Sequence, residues 1–394
     1  MKTLIFLFFS IFFFSCKQIK PVYSAAPASS EKDTAAVNAD VRMCASVPTV
    51  ADEYIPLFHT NVFIRTEDTQ LADKIETQLV QLHKLFDQYH YYYADNSQGT
   101  VKNLKIINDY IAVGKSLSVD PVLADILTDS IRIMKLTDGN FNIFLEPVLN
   151  LYAGKFSSFP VENTDPDSAE IINALRSVPS ASEAEKCLVR NGNTLAFNPF
   201  NGGNTYKINL GAIAKGYAAQ KIHEAFPDSE YMLSLGSSTI VASGKTYRIG
   251  VASSYYKTLA LIQIELPSGM ALSTSGTGNN YYLLAGSPDT VRCHILDPHT
   301  GYSNNYYWTV IIISDNAAIT DALSTALFNV ADRSEILKII SNVEAAYNCS
   351  VEACFVKDSS RENKTVSLLM TEGFEPFIRQ DYKGIGIDAT EILN

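Results

Sequence analysis

The hydrophobic period of this chain switches between roughly 3.6 and 2 residues, and it does so in no regular order. Leu71–Tyr89 carries apolar residues at helical spacing (Ile75, Leu79, Leu82, Leu85, Phe86). Pro121–Leu136 does the same, with proline at the start, where a helix has no use for the missing N–H. Ala214–Phe226, Ala317–Val330 and Ser334–Val343 read as further helices. NVFIRT (61–66), TYKINL (205–210), YMLSLG (231–236), TYRIGVAS (246–253), LALIQIEL (259–266) and WTVIIIS (308–314) read as strands. Strands and helices mix without strict βαβ alternation, which points to an α+β fold rather than a doubly wound parallel sheet. Residues 156–186, containing FPVENTDPDSAE, read as a surface excursion.

The N-terminus, MKTLIFLFFSIFFFSC, pairs a short positive start with an apolar run too short to span a bilayer. Ser15-Cys16 at its end resembles a bacterial lipoprotein signal, which would make Cys16 a lipidated new N-terminus; an ordinary signal peptide cut elsewhere is the alternative. The expected organisation is a signal over 1–16, a flexible Ala/Ser/Pro/Asp-rich tether over 17–55, one folded domain over 56–380 and a tail over 381–394. The expected location is outside the cytoplasm, lipid-anchored to the bacterial membrane, at the periplasmic face of the inner membrane. A net charge of −11 argues against non-specific nucleic-acid binding. Five cysteines follow Cys16, so at least one is unpaired in an exported chain; Cys349 and Cys354 are near enough in sequence to pair.

Four stretches could carry chemistry. In ITDALSTALFNV, Asp321 and Thr325 are one turn apart on a helix and offer two hard oxygens to one cation; a dipole-favoured aspartate and a back-bonded threonine explain the same spacing. In INLGAIAKGYAAQ, small residues lead into a helix start beside Lys215, which suits an anion or an ordinary packing turn. LSTSGTGNNYY places Thr274 and Ser275 in a turn after a strand. HILDPHTGYS puts two histidines in a turn stiffened by Asp297-Pro298 and Thr300-Gly301.

LGAIAKGYA, LSLGSS, STSG, HILDPHTG and TDALSTALF, in this order, together resemble the ApbE family, the FAD:protein FMN transferases. ETQLVQLHKLFDQY and TDGNFNIFLEPVLNLY resemble the same family's first long helix and helix-to-loop segment. The resemblance covers roughly residues 57–375 and implies an ApbE-like mixed fold with a flavin site in a cleft between subdomains. It implies that FAD is bound across Mg²⁺, that an acceptor-protein threonine attacks the phosphorus on the FMN side, and that AMP leaves. Acceptors of the family are subunits of membrane redox complexes; some members let water attack instead, as FAD diphosphatases, and a non-catalytic flavin-binding lipoprotein is a third possibility.

Carried over, the resemblance makes Asp321, Thr325 and the Ala212 carbonyl metal ligands, and His294 the base. Asn209 and Lys215 would flank FAD. Asn140, Phe141 and Asn142 would meet its adenosine half or phosphates, Phe58 its adenine, Tyr89 its isoalloxazine, and the Leu296 backbone its flavin. The sequence departs from the family pattern at Asn142 and Asn209, where aspartates are usual, at Ser237 for a glycine, at Phe58-His59-Thr60 for Met-Gly-Thr, and at Tyr152 for a tryptophan. Asparagine keeps the shape and an acceptor oxygen but loses the charge.

Overall fold

The computed structural model describes residues 51–93, 99–200, 206–236, 238–252, 260–278, 280–360, 362–379 and 386–394. The signal segment, Cys16, residues 17–50 of the tether and Ser237 lie outside the described residues. One nine-stranded sheet follows chain order in space: Ala51–Leu57, Thr60–Thr66, Tyr231–Leu235, Thr239–Ser243, Ala271–Gly276, Thr309–Ser314, Val351–Ser360, Thr365–Met370 and Ile387–Ile392. Neighbours pair antiparallel until the last strand, which joins Thr365–Met370 in parallel. The fold is α+β, and the irregular order of periods has a simple cause. A meander is interrupted by helical insertions, chiefly between Thr66 and Tyr231 and between Ser314 and Val351.

Both faces of the sheet are covered. Val310 and Ile312 face the main core with the helices, while Ile311 and Ile313 face a second core under the hairpin Tyr247–Ala252 and Ala260–Leu266. Side chains alternate faces along a strand, so a strand buried on both sides reads as the unbroken apolar run VIII. The helix starts are chemically explicit. Asp68 accepts from the amides of Gln70 and Leu71, Asp120 from Val122, and Asn316 from Ala318 and Ile319.

Five sequence expectations change. The first long helix, Thr69–Phe86, ends before Tyr89 because Asp87 adopts extended backbone and its carboxylate accepts from the amides of Tyr89 (2.6 Å) and His90 (3.2 Å). TYKINL is not a strand: over 206–210 the Asn108 side chain replaces the ladder, accepting from Ile208 N (2.8 Å) and donating to Ile208 O (2.9 Å). The first strand, Ala51–Leu57, falls largely inside the expected tether. Ile387–Ile392 is an edge strand rather than a tail. The 156–186 excursion contains the helices Ser168–Leu175 and Ala181–Cys187, which bury Ile171, Ala184 and Cys187.

Cys187, Cys293, Cys349 and Cys354 are free thiols, so Cys349 and Cys354 do not pair. No helix among the described residues is long and apolar enough to cross a membrane.

The helices Ala214–Ala225 and Ala317–Phe328 meet at Gly216, where a Cβ would sit 2.3 Å from the Ala317 carbonyl oxygen and 2.5 Å from Asp321 Cβ. Backbone cannot yield as a flexible side chain does. Gly216→Ala is therefore expected to destabilise the fold by roughly 1–3 kcal/mol, seen as a lower urea midpoint. An unchanged midpoint would show that this helix contact is loose.

Candidate functional site

A cavity of about 920 Å³ opens beside the first turn of Ala214–Ala225 and the middle of Ala317–Phe328. Its wall includes Asp321, Thr325, Ala212, Lys215, Asn209, His294, Leu296, Phe58, Tyr89, Asn140 and Asn142.

Asp321 is on the wall and is 4% exposed. The helix Ala214–Ala225 has no side-chain cap of its own at Ile213. Gly216 N, a first-turn amide that its own helix cannot satisfy, donates to Asp321 Oδ2 at 2.8 Å. Asp321 Oδ1 accepts from Thr239 Oγ1 (3.2 Å) and lies 3.5 Å from Lys215 Nζ. Hydroxyls continue the network: Ser273 Oγ reaches Thr239 (3.1 Å) and Thr320 (2.7 Å), and Ser275 Oγ reaches Ser324 (2.8 Å) and Thr325 (3.3 Å). Thr325 Oγ1 is 3.5 Å from the Asp321 carbonyl, too long to consume it, so this hydroxyl keeps capacity for another partner.

The bend before the helix is set by Asn209. Its Oδ1 accepts from Gly211 N (2.7 Å), its Nδ2 donates to Glu146 Oε2 (2.6 Å), and its own N–H donates to Ile143 O (2.7 Å). Ala212 and Lys215 follow on the cavity wall, with Lys215 Nζ 3.4 Å from Gly211 O.

In HILDPHTGYS the two histidines separate. His294, just past the strand Ser287–Cys293, is exposed and lines the cavity, with its N–H on Asn280 O at 3.0 Å. His299 is not on the wall; its ring packs toward Gly139. Buried Asp297 makes the turn, accepting from His299 N (2.8 Å) and Thr300 Oγ1 (3.0 Å). Two residues before His294, Arg292 is held by Asp165 through Nε (3.0 Å) and Nη2 (2.8 Å) and donates to Ser303 O (3.2 Å). The excursion thus grips the strand that delivers His294.

The rim is aromatic. Phe58 and His59 both take left-handed backbone (φ 54° and 57°) in the two-residue turn joining the first strands, a demanding choice without glycine. Phe58 N donates to His83 Nδ1 (3.2 Å). That leaves the His83 proton on Nε2, 3.4 Å from Tyr92 OH, which donates to Asp87 Oδ2 at 2.6 Å. Burial raises the Asp87 carboxyl, but bonds from Tyr92, Tyr89 N and His90 outweigh it and hold the pKa below the ordinary value. Tyr89 is half exposed over the cavity, edge-on to His59 at 5.1 Å.

Phe141, expected at the nucleotide, is instead 1% exposed in the main core, and only its neighbours Asn140 and Asn142 reach the wall. Asn140 Nδ2 donates to Thr137 O (3.0 Å). Asn142 accepts from Phe144 N (2.8 Å) and donates to Pro179 O (3.1 Å), so both amides already serve the fold. The Leu296 carbonyl accepts from Asn329 Nδ2 at 3.2 Å.

Sequence reasoning missed Glu146, His83 and the Asp165–Arg292 pair. Glu146 had a visible signal, a charge inside the apolar run IFLEPVL. The others depend on contacts between distant segments.

A family model described as the ApbE family matches residues 58–349. A protein named FAD:protein FMN transferase from Escherichia coli (strain K12) is 29% identical over 269 residues, 66% of this chain and 70% of its own length. One of the same name from Klebsiella pneumoniae is 27% identical over 53% of this chain and 59% of its own length. Among solved structures, an ApbE protein from Thermotoga maritima superposes with a TM-score of 0.64 at 24% identity, covering 84% of this chain and 100% of its own. The apo flavinyl transferase ApbE from Pseudomonas stutzeri gives 0.61 at 20% identity, covering 83% of this chain and 96% of its own. These two likenesses show the fold.

Burial lowers the His83 pKa from its ordinary 6.5, so the folded chain binds this proton less readily than the unfolded one. Its stability contribution is present above about pH 6.5 and is lost as pH falls through the lower folded value. The thermal midpoint is expected to fall between pH 7 and 5, and less steeply in His83→Asn. Parallel profiles for the two proteins would remove His83 as the cause.

Proposed function

Because the chain belongs to the ApbE family, we propose that it is an FAD:protein FMN transferase that moves FMN from FAD onto a threonine of an acceptor protein. The observation carrying this reading is the meeting of Asp321, Thr325, Ala212, Lys215 and His294 on one cavity of about 920 Å³, roomy enough for a dinucleotide.

The donor set fits Mg²⁺. A buried carboxylate, a hydroxyl one turn on and a main-chain carbonyl are all hard oxygens, and Asp321 Oδ1 already faces a cation, the Lys215 ammonium at 3.5 Å. Asp321, Thr325 and the Ala212 oxygen would hold the ion, which when bound neutralises diphosphate charge and acts as a Lewis acid.

The chain's own groups do the rest. Lys215 and the first turn of Ala214–Ala225 attract the diphosphate. Tyr89 and Phe58 offer aromatic surface to the ring systems. His294 accepts the proton of the acceptor threonine as its oxygen bonds to the FMN-side phosphorus. The bond from that phosphorus to the bridging oxygen breaks, and AMP leaves with that oxygen. Positioning and charge neutralisation dominate such transfers, with little covalent work for the protein.

The lipoprotein-like start supports a lipid anchor at Cys16 outside the cytoplasm, with membrane redox subunits as acceptors. Mass spectrometry of FAD and Mg²⁺, with and without a threonine-bearing acceptor domain, tests the reading. Acceptor carrying FMN, with free AMP, supports it; FMN and AMP formed equally without acceptor would make it a diphosphatase, and FAD returned intact would make it a flavin carrier.

Asp321→Ala is expected to abolish Mg²⁺-dependent turnover and, by leaving Gly216 N–H without its acceptor, to lower the thermal midpoint without unfolding the protein; full activity would break the metal assignment. His294→Ala is expected to slow transfer by about 10²–10⁴-fold and to retain FAD binding. Wild-type rates in that variant would assign the base elsewhere.

A further inference from the structure

Glu146 has no part in the chemistry above, yet it and Asp321 are the acidic side chains on the cavity wall among the described residues. It is 9% exposed. A buried carboxylate needs donors, and it has two from distant segments: Asn209 Nδ2 at 2.6 Å and Gln88 Nε2 at 3.3 Å, both on Oε2. An ionised carboxylate only accepts, so it fixes which way an amide points. Asn209 must turn its NH₂ toward Glu146, and its Oδ1 is thereby aimed at Gly211 N, 2.7 Å away. With the opposite amide orientation, Asn209 would present oxygen to the carboxylate and NH₂ to an N–H, losing both bonds.

We infer that Glu146 is a positioning residue for flavin binding, acting through Asn209 on the bend that carries Ala212 and Lys215. The inference rests on the transferase reading for its ligand. The negative charge sits on Glu146, one side chain further from the bend than Asn209. The pair Glu146–Asn209 works as carboxylate plus amide, and the chemistry predicts that the two halves can be exchanged but not duplicated.

The test uses the whole protein with FAD as the probe, reading the FAD dissociation constant by flavin fluorescence and the thermal midpoint without FAD. Asn209→Asp sets two carboxylates at hydrogen-bond distance and is expected to weaken FAD binding by about tenfold or more and to lower the midpoint. Glu146→Gln added to Asn209→Asp restores one donor and one acceptor between the two side chains, and the carboxylate introduced at position 209 can still accept from Gly211 N. The double variant is expected to recover most of both losses.

An Asn209→Asp variant indistinguishable from wild type overturns the inference, as does a double variant no better than Asn209→Asp. If Asn209→Asp alone does not fold, a folded, FAD-binding double variant supports the pair and an unfolded one overturns it. Wild-type protein that fails to bind FAD would sink the transferase reading instead, while the midpoints still score the coupling between residues 146 and 209.

Discussion

The contact between Gly216 N–H and the Asp321 carboxylate organises the whole site. It satisfies an amide that the Ala214–Ala225 helix cannot satisfy itself, and it does so from a second helix. Only a residue without a Cβ allows that approach, since Ala317 O would otherwise be 2.3 Å away. The contact also brings a buried carboxylate to the mouth of an anion-attracting helix start, with Lys215 alongside. Stability and chemistry therefore share one atom group. A fold that merely needed a cap could take it from a serine at the helix start; placing the charge on a neighbouring helix keeps it on the cavity wall as well.

The remaining parts are held from a distance by the same logic of satisfied polar groups. Asp165, from the segment that reads as a surface excursion, clamps Arg292 and so the strand leading to His294. Asp297 closes the following turn. His83, Tyr92 and Asp87 tie down the strained Phe58-His59 turn. Asp297 acts within its own turn, whereas the Asp165–Arg292 pair joins residues 127 apart and the Phe58–His83 bond residues 25 apart.

Much of this was legible in the sequence where local rules suffice. Helices with clear caps and period, such as Pro121–Leu136 and Ala317–Phe328, were readable, and so were doubly buried strands such as Thr309–Ser314. The ordered motifs were enough to recognise the family. What escaped depends on tertiary partners. TYKINL alternates like a strand, yet Asn108 supplies its hydrogen bonds. The strand Ile387–Ile392, IDATEI, is largely exposed at a sheet edge and carries little apolar signal. Phe141 sits between two wall residues, and nothing in the sequence says that its own side chain turns into the core. Glu146 was visible as an anomaly, but its partner Asn209 lies 63 residues away.

The central claim is spatial: one cation beside Asp321, one diphosphate beside the bend, and His294 within reach of the FMN-side phosphorus. Crystals grown with FAD and Mn²⁺ test it directly through the anomalous signal of the metal. The peak is expected next to Asp321 and Thr325, with the diphosphate against it and the flavin toward Tyr89. A peak on another surface, or FAD bound with its diphosphate away from Asp321, would contradict it.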